Sequence, residues 1–110
     1  MPLDRVLDAA QRWAARLRAE RPEVTRVGYF GSYARGDYVP GSDFDVIIEL
    51  VDGSPAAQMP RLADRSAEYY PAGFPVPVQI VAYTTAELTA LHADGSRFVR
   101  MLDAEARWLT

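Results

Sequence analysis

The sequence has no cysteine, no lysine and one histidine. Without cysteine there is no disulfide and no thiolate-ligated zinc. Without lysine all twelve basic residues are arginine, which excludes a Walker-type phosphate lysine and a Schiff-base nucleophile. An excess of positive charge is also missing. The net charge of -3 argues against a chain whose main work is neutralising a polyanionic backbone, so nucleic acid is not the expected partner. No apolar run approaches the ~20 residues that span a bilayer, and Met1-Pro2-Leu3-Asp4 lacks the basic-then-apolar layout of a signal peptide. The expectation is a cytoplasmic protein with no membrane contact, and at 110 residues a single domain covering 1–110.

What is present is ordered by hydrophobic spacing. Leu3, Val6, Leu7, Ala10, Trp13, Ala14 and Leu17 recur at helical steps, which predicts an amphipathic helix over 3–20 that Pro22 ends, with Trp13 in the core. Val24 to Phe30 has the β-branched and aromatic content of a strand, broken by Gly31. Ser32 stands at a helix N-cap position before a helical turn through Arg35, which Gly36 stops. Phe44 to Leu50 is the most apolar strand, with Val46, Ile47 and Ile48 predicting burial on both faces. The spacing of Met59, Leu62, Ala63, Ala67 and Tyr70 predicts a second long helix over 57–70. Val78 to Tyr83 reads as a third strand, and Thr84 or Thr85 as the cap of a short helix through Leu91, with Glu87 as the capping-box partner available to Thr84. A last helix is expected from Asp94, carrying Phe98, Val99, Met101 and Leu102 inward, and Arg107 to Leu109 as a short edge strand. This is a mixed α+β chain: a small mixed sheet flanked by helices.

The stretch from Val27 to Leu50 holds the chemistry. Backbone N–H groups at the start of a helix lack partners and carry partial positive charge, so the Gly31-Ser32 turn is suited to a phosphate. Taken alone, Gly-Ser after a strand is an ordinary turn. Asp43 and Asp45 add a second feature. Side chains two residues apart on a strand share a face with Cα atoms roughly 6.5 to 7 Å apart, so both carboxylates can reach one metal, and their mutual repulsion calls for a cation. The structural alternative is a pair of solvated surface carboxylates, which the adjoining buried run Val46 to Ile48 makes less apt. Magnesium takes one or two carboxylates completed by water and phosphate oxygens. A metal–nucleotide substrate and phosphoryl or nucleotidyl transfer fit this set.

Gly31-Ser32, ten further residues and then Asp43-Phe44-Asp45, with Ala34-Arg35-Gly36 and Ser42 between, resembles the signature of the minimal nucleotidyltransferases of the DNA polymerase β-like superfamily. The resemblance implies that fold. It also implies that Gly31 and Ser32 hold the β- and γ-phosphates of a nucleoside triphosphate, that Asp43 and Asp45 bind magnesium or manganese, and that an acceptor hydroxyl attacks the α-phosphorus. The nucleotide implied is ATP. Family members this short often work beside a helical HEPN-type partner as the antitoxin of a toxin–antitoxin pair, and a partner chain or a homodimer is the expected assembly. Arg35 follows the phosphate turn and serves either a phosphate or an ion pair with Asp37 or Asp43.

One position departs from the family. Gln79 stands where a third carboxylate is usual, and a glutamine cannot accept the proton of the attacking hydroxyl. Losing a general base costs on the order of 10² to 10⁴ in rate. Three readings stay open: another carboxylate such as Asp37 or Glu49 substitutes, the enzyme is slow or uses one metal, or binding persists without catalysis. Glu49 shares the face of Asp45 but lies about 13 Å along the strand from it. His92, near a helix end, reads as a capping or surface residue.

Overall fold

The computed structural model describes residues 2–110. Helix α1 (Leu3–Glu20) buries Val6, Ala10, Trp13, Ala14 and Leu17, the face that the apolar spacing marks out. Strands β1 (Val24–Phe30) and β2 (Phe44–Leu50) are antiparallel, with Phe30 opposite Asp45. Strand β3 (Val78–Thr84) runs parallel to β2, with Gln79 opposite Asp45. A two-residue strand β4 (Arg107–Trp108) pairs with β1, so the sheet order is β3-β2-β1-β4.

Strand alternation divides the core in two. Phe44, Val46, Ile48 and Leu50 of β2 join Val27, Tyr29, Val78, Ile80 and Ala82 in the cluster that α1 covers. Ile47 points the other way, into a smaller cluster with Leu88 and Leu102, flanked by Phe30, Val81, Tyr83 and Phe98. The last of these helical residues come from α4 (Thr85–Ala93) and α5 (Arg97–Glu105). Val46, Ile47 and Ile48 are fully buried, as the run predicts.

The crossover from β2 to β3 corrects the expected helix over 57–70. It contains a single 3-10 turn, Ala56–Gln58, and a short helix placed between α2 (Ser32–Arg35) and α4, namely α3 (Leu62–Ala67). Pro60 is the cause: it lacks an N–H and drives Met59 into an extended conformation (φ -71, ψ 124). α5 likewise starts at Arg97 and not at Asp94, because Asp94 closes α4 and Gly95 turns the chain at φ 70.

Helix α3 seals the open edge of β3. Arg65 is 3% exposed, and its Nη1 donates to the Ala82 carbonyl at 3.0 Å and to Glu87 Oε1 at 2.7 Å. Its Nη2 donates to the carbonyls of Ala57 and Met59, each at 3.1 Å, and Nε alone goes unpaired. The Ser66 hydroxyl donates to the Ile80 carbonyl at 2.6 Å, and the Val78 N–H donates to the Tyr70 hydroxyl at 3.4 Å.

Thr84 and Glu87 form the capping box expected of them at the start of α4. At the other end His92 joins α4 to α5, with Nδ1 2.9 Å from the Leu88 carbonyl and Nε2 3.0 Å from Asp103 Oδ2. The Leu88 carbonyl and then Asp103 hold the imidazole pKa above its ordinary 6.5. A raised folded-state value gives a stabilising contribution that is full below 6.5 and is lost as pH rises through the folded value. Thermal melts from mildly acidic to mildly alkaline pH should therefore show the wild type losing a small increment of Tm relative to His92→Gln. Parallel pH curves for the two chains would show that the link contributes nothing.

A candidate nucleotide and metal site at the mouth of the central strand

β1 ends with Phe30 opposite Asp45, the second residue of β2, and the chain leaves it through Gly31 at φ 75, ψ -153. That region is accessible essentially to glycine alone. Space is equally limiting: a Cβ at Gly31 would overlap Asp45 Oδ2 and lie 3.2 Å from Asp45 Cγ. The turn and the carboxylate are thus in direct contact.

Gly31 itself is the N-cap of α2 and Ser32 is its first helical residue, with no side-chain cap. This corrects the expectation of a Ser32 cap, and leaves the hydroxyl uncommitted to the helix. Among the described residues the N–H groups of Ser32 and Tyr33 have no backbone partner, whereas those of Ala34 and Arg35 bond to the Gly31 carbonyl. Gly36 ends the turn in the left-handed conformation, φ 86, as expected.

Aromatic packing fixes the two motifs to each other. Phe44, between the aspartates, is fully buried and stacks on Tyr29 at 5.2 Å, on Phe74 at 5.5 Å and edge-on to Tyr33 at 5.5 Å. Tyr33 belongs to α2. The ring that alternation sets on the face opposite Asp45 therefore also anchors the Gly31-Ser32 turn.

Asp43 and Asp45 are both half-buried. Burial pushes the Asp45 carboxyl above the usual carboxylate range; repulsion from Asp43 adds to this, Arg35 opposes it, and Glu105 adds a smaller repulsion. A buried carboxylate beside a second negative charge is stabilised by a cation. Among the described residues no cluster of three or more His, Cys, Asp or Glu side chains could hold a metal. Gln79 is exposed and in register with Asp45. Both open on a groove of about 610 Å³ lined also by Phe30, Leu62, Tyr70 and Phe98.

Glu105 is the residue that sequence reasoning missed. Its Oε1 accepts from the Gly31 N–H at 3.1 Å and from Arg35 Nη1 at 3.1 Å. Arg35 also donates to Asp37 Oδ2 at 3.2 Å, so Asp37 rather than Asp43 is its loop partner. The two ends of the Gly31–Glu105 bond are 74 residues apart, and the one sequence signal was the expected edge strand after it, which brings position 105 to the end of β1. Glu49, the other carboxylate considered as a substitute, is engaged by Arg26 at 2.8 Å and by the Thr85 hydroxyl at 2.6 Å.

The family model described as a nucleotidyltransferase domain matches residues 12–98, a span that holds the Gly31 turn, both aspartates and Gln79 and stops short of Glu105. No curated protein matches the sequence significantly. Among solved structures, a provisionally assigned nucleotidyltransferase from Sulfolobus solfataricus is 19% identical with a TM-score of 0.61, the match covering 96% of this chain and 80% of that one. A toxin–antitoxin structure with AMP-PNP is 16% identical with a TM-score of 0.54, covering 100% of this chain and 73% of that one. These two likenesses establish the mixed-sheet fold, and the family model covers most of the sequence. The chain belongs to the nucleotidyltransferase domain family.

Proposed function

We propose that this chain transfers a nucleoside monophosphate, AMP from ATP, to a hydroxyl of a protein or small molecule. The observation that carries the proposal is the contact between the Gly31 turn and Asp45, with Asp43 near enough to repel the Asp45 carboxylate. Asp43 and Asp45 would hold magnesium or manganese, which supplies charge neutralisation to the phosphates when bound. The Gly31-Ser32 turn offers the Ser32 and Tyr33 N–H groups and the Ser32 hydroxyl to phosphate oxygens, and Arg35 a guanidinium. In the transfer the acceptor oxygen bonds to the α-phosphorus as the bond to the β-phosphate oxygen breaks.

The likeness to a toxin–antitoxin structure with AMP-PNP supports placing this activity in such a pair, with a HEPN-type helical protein as partner and acceptor. Magnesium and ATP together should raise the wild-type Tm by several degrees at nucleotide concentrations well above Kd. Asp45→Asn should remove the metal-dependent part of that shift. An unchanged shift in the variant would detach Asp45 from the metal.

A second reading is favoured by Gln79, in register with Asp45 where a proton acceptor is needed: a module that binds nucleotide and partner with little or no transfer. Labelled-ATP transfer to the purified partner decides between them. Label above an Asp43→Ala control supports the enzyme, while activity that emerges only in Gln79→Asp supports the binding module.

A further inference from the structure

We infer that Glu105 is an internal stand-in for a phosphate of the nucleotide, holding the Gly31 N–H and Arg35 until the nucleotide displaces it. The inference rests on the reading above of Arg35 and the Gly31 turn as phosphate-binding groups.

Among the described residues the Glu105 carboxylate engages two groups, and both belong to that turn: the Gly31 N–H at 3.1 Å and Arg35 Nη1 at 3.1 and 3.4 Å. A carboxylate and a phosphate offer a guanidinium the same pair of anionic acceptors. A phosphate oxygen that reaches the Gly31 N–H, next to the Ser32 N–H, has to displace Glu105, because that group has a single hydrogen. Coexistence is also electrostatically unfavourable, because Glu105 already repels Asp45 and a triphosphate would add further negative charge beside it.

The seat of Glu105 favours exchange. It is the last residue of α5, where the partial negative charge of the helix end disfavours an anion, so its place there depends on Arg35. That partner is half-exposed: the Arg35 side chain is 48% accessible against 18% for Glu105. An ion pair of that kind is weak, and a cation-bound triphosphate can replace it. Displacement would also be felt beyond the site, because Ala106 alone separates Glu105 from β4.

The test is the Kd of magnesium–AMP-PNP, by calorimetry, for the wild type, Glu105→Gln and Glu105→Ala. Loss of the competitor is expected to tighten binding about fivefold, the value of one exposed ion pair, with Glu105→Ala at least as tight as Glu105→Gln because it also frees the Gly31 N–H. Equal or weaker binding in both variants overturns the inference and makes Glu105 a positioning residue for the turn. Hydrogen exchange on the wild type needs no variant: saturating nucleotide should speed amide exchange across 105–110, and unchanged or slower exchange there overturns the inference. Absence of binding to all three chains overturns the nucleotide reading and this inference with it, whereas binding that is equal in all three overturns the role of Glu105 alone.

Discussion

Gly31→Ala is expected to abolish metal-dependent nucleotide binding in a chain that still folds. Two effects combine. The backbone at φ 75, ψ -153 is strained for any residue with a Cβ, at a cost of about 1–3 kcal/mol. The new methyl also overlaps Asp45 Oδ2, so the carboxylate has to swing out of the position it shares with Asp43. Gly41→Ala separates the two effects. Gly41 has φ 92 with nothing within 4 Å of the added Cβ, so that variant carries backbone strain alone. Thermal melts with and without magnesium–ATP should show both variants destabilised and only Gly41→Ala still shifted by nucleotide. Retention of the shift in Gly31→Ala would mean that the Asp45 position is irrelevant to the ligand.

Phe44→Ala is expected to carry the largest loss of stability, about 3–5 kcal/mol, as for other buried aromatic truncations. The ring is fully buried and touches Tyr29, Tyr33 and Phe74, so its removal opens a cavity walled by rings that cannot collapse into it. Against a total stability of about 5–15 kcal/mol, this leaves a chain near its unfolding threshold. Urea unfolding should show a lower midpoint with little change in slope, and Phe44→Leu should recover most of the loss because it keeps apolar volume. A change below about 1 kcal/mol would contradict the packing described. Because Phe44 joins α2 to the aspartate strand, nucleotide binding by the surviving folded fraction should weaken as well.

Local rules made much of this legible. The periodicity of α1, the apolar run of β2 and the Thr84–Glu87 capping box each depend on neighbouring residues, and each stands where the spacing put it. The strand-turn-strand order around Gly31 and Asp45 was legible for the same reason, since each step depends on adjacent residues. The expected helix over 57–70 failed because apolar spacing was counted across Pro60, whose steric veto outranks periodicity. Arg65 has no local sign of burial: its acceptors come from the 3-10 turn, β3 and α4. Glu105 was invisible for a related reason, since its meeting with Gly31 is set by how β4 docks on β1.

The side chains of Arg65, Ser66 and Tyr70 along the margin of β3 limit how this molecule can assemble. They occupy backbone groups that another chain's strand would need, so the sheet cannot be lengthened there by β-augmentation or by edge-to-edge stacking into fibres. At the far margin β4 is only two residues long, too short to template an intermolecular ladder. A companion subunit, identical or foreign, therefore has to be recognised by side-chain shape and charge rather than by continuation of the sheet.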